Sequence, residues 1–171
     1  KDLNATLVEM LAGGEHHQTG VTLRNSILIS SLLTNSESWY NLTLANIVVL
    51  EKVDELMLRG ILNAHRMTPR ALLYLELGCL PARYIIKSKQ LMFLHYILSQ
   101  PKESLMKKFF NAQLENSSKT DWTFQVKNYM KELELNLTME EIHCMSKNMF
   151  KEYIRKKIES GALKYLKSQI K

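Results

Sequence analysis

The sequence predicts an all-α fold: a helical bundle over residues 1–100, followed by a smaller helical linker region over 101–171 that ends in a basic helix. Three observations carry this. Only three prolines and six glycines interrupt 171 residues rich in Leu, Met, Lys, Glu and Ala. Apolar residues recur at helical spacing along most of the chain. Start and stop signals bracket those stretches, as at Thr68-Pro69 and Gly78. An apolar content of 46% is enough to bury a core as one domain or two small ones.

Taken in order, residues 3–12 (LNATLVEMLA) read as a short helix ended by Gly13-Gly14. The following GGEHHQTG reads as a solvated loop, because adjacent His16 and His17 point apart and make a poor metal pair. Leu23, Ile27, Leu28, Ile29, Leu32 and Leu33 outline a helix that breaks at Asn35-Ser36. Trp39-Tyr40 supplies a bulky plug between helices. Thr43 is placed to cap a long helix with Leu44, Ile47, Val48, Leu50, Val53, Met57 and Ile61 inward. Glu51-Lys52, Asp54-Glu55 and Arg59 then face water.

The stretch from Leu50 to Leu98 is expected to organise the rest. Thr68 caps a short helix with Pro69 in its first position, Gly78 closes it, and Pro81 opens the next. Within that next helix, Leu91–Leu98 (LMFLHYIL) holds one polar residue, His95, and so belongs inside a bundle. Ser99-Gln100-Pro101 marks the clearest boundary. Beyond it, residues 102–115 form a helix with Leu105, Met106, Phe109, Phe110 and Leu114 apolar. Thr120 or Asp121 caps another through Leu135, with Trp122, Val126, Tyr129, Met130 and Leu133 buried. Thr138 and Glu141 have the form of a capping box. Ser146 opens the last helix, where Phe150, Ile154, Ile158 and Tyr165 oppose Lys156, Lys164, Lys167 and Lys171. Gly161 is placed where it could interrupt that helix.

The chain is poor in catalytic chemistry. Its three aspartates, Asp2, Asp54 and Asp121, are far apart, whereas two-metal phosphoryl transfer needs clustered carboxylates. There is no Gly-rich phosphate loop, nucleophile elbow or His-x-x-x-His pair. His143 and Cys144 are neighbours in sequence, not a dyad, and His65 and His95 read as loop and core histidines. Cys79 and Cys144 give no metal spacing and no disulfide framework. No cofactor is expected in this segment. No apolar run approaches the ~20 residues of a membrane span. With no signal-peptide pattern, the reading is an intracellular setting without a membrane partner. N-x-[ST] matches begin at Asn4, Asn41, Asn116 and Asn136, but Thr43 and Thr138 are accounted for as helix caps.

Charge is distributed unevenly. Residues 147–171 hold eight Lys/Arg against Glu152 and Glu159, a net of +6 that equals the whole chain's. A basic thread also crosses the centre: Arg59, Arg66, Arg70, Arg83, Lys87 and Lys89. Arg66 and Arg70 flank the Thr68 cap, where a helix dipole suits phosphate. Arg83 and Lys87 share a helix face at i, i+4 spacing. Such cations fit backbone contact to nucleic acid, with Lys156, Lys164 and Lys167 as a second surface. They also fit an ordinary solvated helical surface.

An ordered set of blocks carries a family resemblance. Leu23-Arg-Asn-Ser-Ile-Leu28, Asn35-Ser-Glu-Ser-Trp-Tyr40, Leu50-Glu-Lys-Val-Asp-Glu55, Leu58-Arg-Gly-Ile-Leu62, Thr68-Pro69, Leu73-Tyr-Leu-Glu-Leu-Gly78, Pro81-Ala-Arg-Tyr-Ile-Ile86 and Gln90–Leu98 occur in sequence. They resemble the region downstream of the palm in reverse transcriptases of non-LTR retrotransposons. The likeness is sharp over residues 20–100 and looser over 101–171. It implies a thumb-like bundle followed by a linker, in a transposable element's RNA-directed DNA polymerase that acts in the nucleus. The partners implied are an RNA template, a DNA primer or target duplex, and the parent enzyme's palm domain. The palm's catalytic carboxylates and the family's downstream zinc ligands have no counterpart here, so the segment itself would not catalyse. Trp39, Glu76, Gly78 and Pro81 match as fold determinants. The alternative is a helical protein-interaction scaffold derived from a retroelement, its nine methionines forming adaptable faces.

Overall fold

The structure, a computed structural model, describes residues 17–116 and 118–170. Among them there are helices and no strand, so the all-α class holds. The expected helix over 3–12, His16 and Lys171 lie outside the described residues. The chain divides into two compact units. One comprises the described residues up to Thr34, Leu44–Arg83 and those from Ala162 on. The other comprises Asn35–Thr43 and Tyr84–Gly161. Ser99-Gln100-Pro101 therefore ends a helix but divides no unit, and the expected break at residue 100 falls inside the second unit.

In the first unit, α1 (His17–Leu23) passes through a π turn (Arg24–Ile29) into α2 (Ser30–Leu32). The loop expected to run through His17 to Gly20 is helical. Gly20 is buried and serves as a packing position rather than a break. The inward residues are Gly20, Arg24, Ile29 and Leu33, and the five-residue step from Arg24 to Ile29 is the signature of the π turn. That step leaves Ile27 exposed although its spacing looked apolar-inward.

Helix α3 (Leu44–Leu62) also presents a different face from the expected one. Glu51, Asp54, Leu58 and Ile61 are buried, while Leu44 and Val53 are exposed. Polarity assigned the two carboxylates to solvent, but each meets an arginine that offsets its desolvation. α3 ends with Asn63 at φ 47°, Ala64 N–H donating to Arg59 and Asn63 N–H to Gly60. α4 (Arg70–Glu76) starts one residue later than expected. Pro69 occupies the cap position with extended ψ, and no side-chain cap bond forms, so Thr68 is not the cap. α4 ends as anticipated: Gly78 has φ +61°, Cys79 N–H donates to Tyr74 and Gly78 N–H to Leu75, a Schellman closure. Leu58, Ala71, Leu73, Tyr74, Cys79 and Leu166 form the core of this unit.

In the second unit, α5 (Ala82–Ser99) contributes its residues from Tyr84 on. Leu91, Leu94, His95, Ile97 and Leu98 are buried, as the apolar run requires, but Tyr96 is exposed. His95 is a core histidine: its Nε2 lies 2.9 Å from the Met145 carbonyl and its ring stacks on Phe150. Since a carbonyl only accepts, Nε2 carries the proton. Ser104 caps α6 (Leu105–Glu115). On α6 Phe110 alone of the expected apolar residues is buried, with Leu105 and Phe109 exposed. Asp121 occupies the cap position of α7 (Trp122–Glu132), which buries Trp122, Val126 and Met130. α7 closes in the same manner as α4, but with Glu134 in the left-handed position at φ 52°.

Thr138 and Glu141 form the anticipated capping box on α8 (Met139–Cys144). Ser146 Oγ accepts from Met149 N–H at the start of α9 (Lys147–Ser168). Gly161 does not interrupt α9. Tyr84 donates its hydroxyl to the Gly161 carbonyl at 2.9 Å, and a Cβ there would lie 2.9 Å from the Leu133 side chain. Phe150, Ile154 and Ile158 form the expected apolar stripe.

Candidate nucleic-acid interface

Of the nine cations singled out from the sequence, eight fall into two groups by what they touch, and Lys89 belongs to neither. On α3 of the first unit, Glu51 and Asp54 lie one turn apart; Glu51 meets two arginines and Asp54 one. The Arg83 guanidinium grips Glu51 with two bonds, Nε at 2.6 Å and Nη2 at 2.8 Å. Arg83 also lies 4.4 Å from the centre of the Tyr165 ring. Arg70 stands 3.7 Å from the second Glu51 oxygen, more loosely and partly exposed.

One turn on, Arg24 meets Asp54 through Nε at 2.6 Å and Nη2 at 2.5 Å, with the two side chains 1% and 0% exposed. Tyr74 donates to the same carboxylate at 2.9 Å, and Arg24 also donates to the Leu80 carbonyl at 3.0 Å. Burial pushes the Tyr74 hydroxyl well above the usual tyrosine range, and the Asp54 charge adds to it. Burial works against the Arg24 charge, but the bond to Asp54 more than offsets it and the guanidinium is held firmly protonated. Arg24 was not among the candidate cations. Its position thirty residues from Asp54 left no local signal.

Arg59 is likewise engaged within the fold. It pairs with Glu55 at 2.6 Å and donates to the carbonyls of His65 at 2.7 Å and Thr68 at 2.8 Å. It thereby fastens the loop after α3. Arg66, on that loop, is exposed.

In the second unit, Lys87 is almost enclosed. It pairs with Glu132 at 2.5 Å and lies near the Tyr84 and Tyr129 rings, 4.7 and 5.3 Å from their centres. Burial, helped by the Glu132 charge, pushes the Tyr129 hydroxyl up to about 12. The face that Arg83 and Lys87 were expected to share thus serves two different carboxylates. Lys89 is half-buried and lines a surface groove. Lys156 of this unit is exposed, as are Lys164 and Lys167 of the first.

Four cations, Arg59, Arg70, Arg83 and Lys87, therefore neutralise carboxylates of their own unit. Arg66, Lys156, Lys164 and Lys167 face solvent. Among the described residues no group of His, Cys, Asp and Glu could hold a metal ion, and no helix is long and apolar enough to cross a membrane. Comparison with protein-family models, curated proteins and solved structures finds no match to this chain.

Proposed function

We propose that this chain is the thumb and helical linker of a polymerase related to the reverse transcriptases of non-LTR retrotransposons. In this reading it holds template–primer duplex through backbone phosphates and catalyses nothing itself. The ordered sequence blocks between Leu23 and Leu98 and the all-helical fold support it. The observation that carries the binding mode is the separation of the cations into internally paired and outward-facing sets. Arg66, Lys156, Lys164 and Lys167 make the phosphate contacts. Arg59 fastens the loop that carries Arg66, and Arg83 packs on Tyr165 of the helix that carries Lys164 and Lys167.

Anisotropy titration with an RNA–DNA hybrid at two salt concentrations tests this. Replacing Arg66, Lys164 and Lys167 by Gln should weaken binding to hybrids of any sequence alike. The salt slope should fall by about 0.9 for each phosphate that the variant no longer neutralises. Unchanged affinity and slope would remove these residues from the interface.

A second reading, a protein-interaction scaffold, draws on Val49, Val53 and Leu56, exposed apolar residues at i, i+4, i+7 on α3. It predicts no measurable affinity for the hybrid at all.

A further inference from the structure

We propose that the second unit carries a separate site for single-stranded nucleic acid. It is the groove along α5 whose floor is Tyr96 stacked on Phe93 and whose cations are Lys89 and Lys147. The groove has a volume of about 770 Å³, well within the range of about 300–1,000 Å³ for ligand-sized sites. Helix geometry builds it. Lys89, Met92, Tyr96 and Ser99 recur at steps of three and four, so one face of α5 lines its length. Lys147, the first residue of α9, closes it from a second element. Lys151 follows one turn along α9 and is exposed.

The aromatic pair gives the groove its chemistry. The Phe93 and Tyr96 rings are nearly parallel, 16° between planes and 6.0 Å between centres. Tyr96 remains 50% exposed although Leu94, Ile97 and Leu98 around it are buried. A half-exposed tyrosine backed by a second ring, with ammonium groups nearby, is the arrangement on which unpaired bases stack while their phosphates meet the cations. In a duplex both base faces are already covered by neighbouring pairs, so this platform selects an unstacked strand. Glu37 is the one carboxylate among the lining residues, and Lys147 is exposed.

The platform is also held rigid. Two residues from Lys147, Met145 accepts the His95 N–H at 2.9 Å, and His95 stacks on Phe150 with 5.1 Å between ring centres. These interactions fix α5 to the start of α9, so Tyr96 and Lys147 keep their separation before any ligand arrives. A preformed site loses less ordering entropy on binding. This site is independent of the duplex reading. None of the four cations assigned to the duplex lines this groove.

The test uses the full chain and fluorescein-labelled oligo(dT), oligo(rU), an abasic strand of equal length and an RNA–DNA hybrid. Tyr96→Ala should weaken both oligonucleotides about tenfold, the effect of losing one stacked base. Tyr96→Phe should bind as the parent does. Lys147→Gln should weaken binding a few-fold and lower its salt slope. Affinity for the hybrid should be unchanged by Tyr96→Ala. Circular dichroism establishes that each variant is folded, and the abasic strand tests the parent protein directly. The proposal is overturned if the abasic strand or polyglutamate binds the parent as tightly as oligo(dT). It is equally overturned if folded Tyr96→Ala keeps the parent affinity, or loses the hybrid in step with the single strands.

Discussion

Asp54 receives Arg24, Tyr74 and no solvent, so its carboxylate and the guanidinium depend on each other. Removing one partner leaves a buried charge without compensation. Asp54→Ala should therefore cost about 3–5 kcal/mol in urea unfolding. The paired change Arg24→Met with Asp54→Leu should cost far less than the two single changes together, because it removes both charges at once. Tyr129 offers a check with the opposite kind of chemistry. Its hydroxyl is pushed from 10.0 to about 12 by burial and by Glu132. The unfolded chain therefore loses this proton first, and stability should fall as pH rises from 10 and level off near 12. Tyr74 acts in the same direction. Tyr129→Phe should make the decline of the urea midpoint shallower.

Three helices, α3, α4 and α7, end in left-handed closures on Asn63, Gly78 and Glu134 respectively. Only the last places a long side chain where glycine belongs. Glu134→Gly should raise stability by about 1 kcal/mol, a Tm increase of about 2–4 °C. Thr138→Ala, which removes the α8 capping bond, should cost about 1 kcal/mol. Signals of this local kind are what the sequence makes legible. The capping box, the Gly78 closure and the stripe of Phe150, Ile154 and Ile158 all depend on residues within a turn or two. The inward face of α3 was not legible, because Glu51 and Asp54 are buried by arginines some thirty residues away. The candidate cations fared likewise. Their existence was visible, but which were already occupied by Glu51, Glu55 and Glu132 depended on tertiary neighbours.

For the molecule as a whole, the excess positive charge belongs to residues 147–171, which also supply Phe150, Ile154, Ile158 and Leu166 to the cores of their units. Charge and core therefore cannot be separated by truncation. Deleting residues 147–171 should abolish cooperative unfolding, read by thermal circular dichroism. Lys156→Gln, Lys164→Gln and Lys167→Gln together should leave Tm within a few degrees while lowering the salt dependence of hybrid binding. Observing both separates the proposed polyanion surface from the structural role of the same helix.

The π turn at Arg24–Ile29 has a consequence for chain length. It amounts to a single surplus residue accommodated between two inward-facing pairs, Gly20 with Arg24 and Ile29 with Leu33. Excising the exposed Ile27 would restore even spacing and return the segment to an uninterrupted α-helix, with Arg24 still beside Asp54. A shortening that would scramble an ordinary helix should here leave the fold intact.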